Sequence, residues 1–534
     1  MLADSPKRRS SVSSADATLA GRDDAPRTTE RLDRDSNKSS QTADPKLEES
    51  AIPEDKITEA IERALDIDQW NENPRNPRNW SPARKWSSLA VVSLYTFVSP
   101  LASSMLAPGL PEIADKYGMT NSTLIALTLT VFLLAYAVGP LLLSPLSEIY
   151  GRQWVLHGSN LFFLAFNLGC AFATSGSMLT GFRFLDVLLK PSRSAGLGAS
   201  APIAIGGGVV GDIFSERDRA AAMAIFSMGP LIGPVIGPIA GGFVSETVGV
   251  KWVFIIITCV AGIASALGIP ILKESYAPIL RVKYAVRDGH DKEKAMNIVS
   301  PNGTLSKGQI LWTNLSRPMV LLFQSFILFI LSLYMAIQYG FLYLLFTAYP
   351  TIFPSLYGWS AGIDGMAYIG IGVGFLTSTI IGATLSNTLY LKMVEKNNGV
   401  GKPEFRIPSM FVGSALVPIG LFWFGWSAEA KIHWIMPIIG GGIFACGMMF
   451  TYLPIQLYLV DAFTYAASAM GAAAVLRSLF GFFFPLFGQQ MFDRLGYGGA
   501  FSLLAGISLL IGVPFPIWVF YYGERVRAKS PLNR

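Results

Sequence analysis

Residues 229–242 read GPLIGPVIGPIAGG. Gly229, Gly233, Gly237 and Gly241 recur at every fourth position, so on a helix they share one stripe. Pro230, Pro234 and Pro238 follow them at the same spacing, and Gly242 closes the run. In water three prolines would break a helix, because each removes an amide donor and clashes one turn back. In a bilayer, neighbouring helices and water satisfy the freed carbonyls. The glycine stripe then lets a second helix approach backbone to backbone. Simple packing explains the glycines, but not three Gly-Pro pairs in register. The stretch predicts a bent, closely packed membrane helix.

The rest of the chain fits a membrane setting. Of 534 residues, 51% are hydrophobic and 15% charged, against about 25% charged in soluble domains. The net charge of +6 suits basic cytoplasmic loops, and no nucleic-acid partner is expected. Cys170, Cys259 and Cys446 all lie in apolar runs, so three thiols make no disulfide framework. His157, His290 and His433 are far apart in sequence, and no metal site is expected.

A spanning helix needs roughly 20 apolar residues. Twelve candidates follow: 87–107, 124–143, 154–173, 178–212, 221–243, 252–272, 320–347, 361–386, 409–427, 434–458, 464–489 and 498–521. The predicted fold is an all-α polytopic membrane protein, with twelve transmembrane helices in two six-helix bundles. Residues 1–84 read as a disordered cytoplasmic tail, 85–272 and 320–521 as the bundles, 273–319 as a central cytoplasmic loop, and 522–534 as a cytoplasmic tail. Lysine and arginine crowd the central loop, the stretch 392–406 and the C-terminal tail, which places both termini in the cytoplasm. Asn121 heads an Asn-Ser-Thr sequon in the first outer loop, a glycosylation candidate.

Span four carries an anomaly. Residues 186–194 (DVLLKPSRS) put Asp186, Lys190, Pro191 and Arg193 in the middle of an apolar run, at high cost. The insert forms a bulge, or reshapes a cavity, or is a stretch normally spliced out; energetics favour the last.

Several residue sets could carry chemistry. SPLSEIYGRQ, residues 144–153, sets Glu148, Gly151 and Arg152 where a charged latch could pair at a helix end. An ordinary cytoplasmic turn would look the same. Arg477 lies deep in span eleven, roughly 20 Å from its cytoplasmic start, where a cation needs a partner or a wet cavity. Asp461 is its candidate neighbour, and Asp212 closes span four. Apart from Asp186, no carboxylate reads as mid-membrane; Asp364 is one of several placed mostly at helix ends. Ser103, Tyr136, Gln338, Tyr339, Tyr343, Tyr368 and Phe484 are candidates for lining a substrate cavity, with plain packing as the bland alternative for each aromatic.

The Gly-Pro stretch resembles the fifth-helix antiporter signature of the twelve-span drug–proton antiporters of the major facilitator superfamily. The loop 144–153 resembles that superfamily's loop motif, although Ser144, Ile149 and Gln153 depart from it. LKESYAP (272–278), KPEFRIPSM (402–410) and YLVDAF (458–463) are similar to fungal members. The family's fourth-helix signature is matched by Arg183, Gly206, Gly207, Gly208 and Asp212, which implies a proton-coupling role for Arg183; snorkelling to the outer interface is the alternative. The resemblance implies a secondary transporter exporting a small organic molecule by alternating access. It would act as a monomer in the plasma or vacuolar membrane, with a proton gradient and no cofactor as its energy source. An uncoupled facilitator or importer of a small solute such as a polyamine, and a non-transporting nutrient sensor, stay open. No HExxH pattern, nucleophile–base pair or phosphate loop points to an enzyme.

Overall fold

The structure, a computed structural model, describes residues 70–188, 200–287, 307–463 and 466–528. All of them belong to one compact unit, Ile61–Arg534, and the regular elements among them are helical. In chain order the first six helices are α1 Pro82–Ser104, α2 Leu110–Tyr117, α3 Ser122–Thr130, α4 Phe132–Tyr150, α5 Arg152–Ala171 and α6 Gly176–Leu188. Then follow α7 Ala201–Ile213, α8 Glu216–Val248, α9 Val250–Ile271, α10 Ala277–Arg287, α11 Lys307–Gln324 and α12 Phe326–Tyr357. The last seven are α13 Ala361–Ala367, α14 Ile369–Lys396, α15 Met410–Glu429, α16 Ile435–Ala462, α17 Ala466–Phe483, α18 Gly488–Gly512 and α19 Pro514–Arg527.

Among the described residues, nine stretches are long and apolar enough to cross a membrane. The third predicted span, α5, is not one of the nine, since His157, Asn160 and Asn167 dilute its hydropathy. The fourth is divided into α6 and α7. Most of the 186–194 insert lies outside the described residues, as do the N-terminal 69.

Several boundaries differ from the sequence reading. Residues 320–324 finish α11, and Ser325 starts a new helix by accepting from the Leu328 amide, so the seventh span is Phe326–Tyr357. The predicted central loop thus contains α10 and most of α11. Residues 70–84, assigned to the disordered tail, are ordered. Trp70 and Trp80 are buried, Arg281 lies over Trp70, and Arg75 lies over Tyr284. The Trp70 and Tyr284 rings, each covered by a guanidinium from the other segment, hold these residues against α10. The predicted C-terminal tail is helical to Arg527, whose guanidinium reaches Glu404.

The Gly-Pro stretch lies in α8, which runs unbroken through Pro230, Pro234 and Pro238. Its four stripe glycines are buried. A Cβ on Gly229 would meet the Ser93 and Phe97 backbone; on Gly233, the Phe97 and Leu101 backbone; on Gly237 and Gly241, Leu101 and Met105. The two helices therefore run parallel with matched four-residue steps, as the first and fifth spans of an alternating bundle must. Gly242 meets the Ala361 carbonyl, Gly365 meets that of Pro238, and Gly372 meets Val235, so α8 also packs antiparallel against α13–α14. One helix thus makes backbone contact with a partner in each half.

Candidate functional site

Between the halves, four of the predicted cavity residues converge. Ser103 on α1 and Tyr343 on α12 share a hydrogen bond of 3.2 Å between hydroxyls. The Tyr339 ring lies 5.0 Å from that of Tyr343, and the Arg477 guanidinium from α17 sits 4.8 Å from the Tyr339 centroid. On the other side, Tyr136 of α4 shares a hydrogen bond of 2.8 Å with Ser99 of α1. Ser103 and Tyr343 are only 1% and 3% exposed, while Tyr339 and Arg477 are half-buried, so the cluster is closed at its centre.

Three predicted lining residues lie elsewhere. Gln338 turns into the C-terminal half and accepts from the Thr451 hydroxyl. Tyr368 donates to the Phe346 carbonyl and packs on Tyr349 within that same half. Phe484 forms a short turn after α17 and fills the space above Gly340. Ser99, whose hydroxyl meets Tyr136, was missed by reading polar groups one helix at a time. Asp461 is not the neighbour of Arg477; it pairs with Arg406 at 3.1 Å.

At the loop between α4 and α5, Arg152 pairs with Asp212 at 3.2 Å and donates to the Ser147 hydroxyl. The Arg152 and Gln153 amides donate to the Glu274 carboxylate, which caps the start of α5 where a negative charge is favoured. Gly151 has φ +102°, and Glu274 occupies the space a Cβ would need. Burial pushes the Tyr276 phenol up from its ordinary range, with Arg152 lying 4.8 Å from its ring centroid. Glu148, predicted as the latch acid, is exposed instead. The acids that engage Arg152 and its backbone come from 60 and 122 residues away. The second half repeats the pattern: Arg406 before α15 pairs with Asp461 at the end of α16, as Arg152 pairs with Asp212 at the end of α7. VVGDIF at 209–214 and YLVDAF at 458–463 echo this in sequence.

Arg183 is buried in α6 between the Phe132 and Phe254 rings, 5.5 and 5.8 Å from their centroids, rather than reaching an interface. Gly206 and Gly208 of α7 face Phe226 and Arg152, while Gly207 is more open. Asn121 caps α3 by accepting from the Thr123 and Leu124 amides.

Asp364 lies in the first turn of α13, near a helix end as read from the sequence, but it is 0% exposed and neither carboxyl oxygen has a hydrogen-bond partner. Nearby, the Gly362 amide donates to Glu246 of α8 at 2.8 Å.

A family model described as Major Facilitator Superfamily matches residues 92–485. The chain is 41% identical to the MFS transporter prlG of Fungal sp. (strain NRRL 50135) over 86% of its own length and 96% of that protein's. It is 41% identical to the efflux pump vrtL of Penicillium aethiopicum (90% and 94% covered), and 37% identical to the efflux pump radE of Floropilus chiversii (90% and 90%). Among solved structures, the E. coli xylose transporter XylE in a partially occluded inward-open conformation superposes with a TM-score of 0.59. That match covers 82% of this chain and 98% of XylE at 14% identity, a likeness of fold.

Proposed function

The chain belongs to the major facilitator superfamily, as a multi-pass membrane transporter with fungal efflux relatives, and from that premise we propose that it exports a small organic molecule by alternating access, driven by inward proton flow. The observation that carries this reading is the polar–aromatic cluster built by both halves: Ser103 and Tyr136 from one, Tyr339, Tyr343 and Arg477 from the other. A site shared across the halves is remade whenever they rock. Aromatic faces with a few hydroxyls and one cation suit an amphiphilic solute such as a secondary metabolite, toxin or drug.

The Arg152–Asp212–Glu274 cluster acts as a latch on the cytoplasmic side, holding α5 to α7 in one state and releasing it in the other. Arg183 serves proton coupling from its place beside the Phe132 and Phe254 rings. The protein works as a monomer in the plasma membrane, with both termini cytoplasmic and a glycan site at Asn121 on the outer face.

Inside-out vesicles carrying the protein should accumulate rhodamine 6G when their lumen is acid, and lose the dye when the gradient is collapsed. Accumulation indifferent to the gradient would reject antiport. Arg183→Ala is expected to abolish gradient-driven accumulation while dye exchange at equal pH continues. An unchanged response to the gradient would remove Arg183 from the coupling path.

A further inference from the structure

We propose that Asp364 is the protonation site through which the proton gradient acts, an assignment that rests on the antiport reading above. That reading needs a buried group that changes charge as the protein alternates, and Asp364 is placed for the task. It sits on α13, the element that meets the Pro238–Gly242 side of α8 across the two halves. Gly365, its immediate neighbour, touches the Pro238 carbonyl, and Ala361, three residues earlier, touches Gly242. Separating α8 from α13 would therefore open the surroundings of Asp364 to water, and closing them would dry it.

Among the described residues, the neighbours give a carboxylate no hydrogen-bond partner. The elements packed most closely on α13 are α8, α12, α14 and the turn Ala107–Gly109. Facing this region they present Glu246 from α8, Tyr349 from α12 and Tyr368 from the joint between α13 and α14; the turn carries no titratable group. None of these is a cation. Tyr368 spends its hydroxyl on the Phe346 carbonyl, and Glu246 is engaged by the Gly362 amide. A calcium or magnesium ion would need about six oxygen ligands, and among the described residues no group of three His, Cys, Asp or Glu side chains stands ready to hold a metal. The closed arrangement can keep Asp364 dry only in its protonated, neutral form, because an unpaired carboxylate there is costly. Proton uptake when α8 and α13 are apart then favours their closure. Loss of the proton favours reopening. This is a two-state element biased by one charge.

The relevant measurement is the distance between spin labels in the full-length protein in lipid nanodiscs. Labels are placed at Lys116 and Lys431, both exposed, one in each half, after replacing the three native cysteines. In the parent protein, acid should shift the population to the short distance and alkali to the long one. Asp364→Asn should hold the short distance at every pH, and Asp364→Glu should keep the transition with a displaced midpoint. Infrared pH-difference spectra of the same samples should show a protonated-carboxyl band in the parent that Asp364→Asn lacks. The proposal fails if Asp364→Asn keeps the parent's pH response, if the parent shows none, or if the band survives the substitution. Gradient-independent dye transport together with an Asp364-dependent distance change would reject antiport but leave the protonation site standing. Gradient-driven transport that survives in Asp364→Asn would do the reverse.

Discussion

Gly233→Leu is expected to abolish transport in protein that is made and delivered normally. The Cα of Gly233 faces α1 so closely that a single added carbon would lie 2.9 Å from the Leu101 amide nitrogen and 3.2 Å from the Phe97 carbonyl oxygen. Both obstacles are backbone, so no rotamer change relieves the clash. Adding even one methyl to a packed core commonly costs about 1–3 kcal/mol. Leucine adds three more carbons and must force α8 off α1, and with it the α8–α13 contact between the halves. Gly233→Ala should give an intermediate loss. Gly506→Ala is the control: a Cβ there meets nothing within 4 Å, and transport should be unchanged. Dye transport per surface-delivered molecule, with the melting temperature of purified protein, checks all three. Full activity in Gly233→Leu would mean that the stripe does not need backbone contact to work.

The second large effect is expected at Arg152. Its side chain is 11% exposed and that of its partner Asp212 is 21% exposed. Arg152→Met leaves the Asp212 carboxylate half-buried and unpaired, at a cost of about 3 kcal/mol, the low end for a buried pair because Asp212 keeps some water. Asp212→Leu should cost a similar amount. The double variant removes both charges and should recover much of the lost stability, since a hydrophobic replacement of a buried pair is often neutral. Transport should stay low in the double variant, because a latch that never forms cannot alternate. Melting temperatures and dye transport across the four proteins check the cycle. Recovery of transport along with stability would make the cluster a structural support and nothing more.

These two predictions also mark what the sequence could and could not reveal. The glycine stripe was legible because its spacing is local: every fourth position on one helix. The two partners of its helix were not, since α1 lies more than a hundred residues upstream, and α13 more than a hundred downstream. Arg152 and Gly151 were legible for the same reason, but the acid was misassigned to nearby Glu148. Charge pairing is decided by space, and Asp212 and Glu274 reach Arg152 only after the bundle forms. Tyr339, Tyr343, Tyr136 and Ser103 could be proposed from composition, yet nothing in their spacing told them from Tyr368 or Gln338, which face inward within one half. Asp364 was in plain view between two glycines, and its depth became clear only when α8 was seen to cover it. Of the latch in the second half, the VVGDIF and YLVDAF echo was the available signal.

Because α8 keeps step with α1 on one side and with α13 on the other, its register is set twice over. One residue inserted between Gly233 and Gly237 would turn everything beyond it by about 100°. Gly237 and Gly241 would swing away from Met105, and Gly242 from Ala361, in a single change. The helix can thus absorb many exchanges of side chain on its outer surface, but it has no tolerance for a change in length.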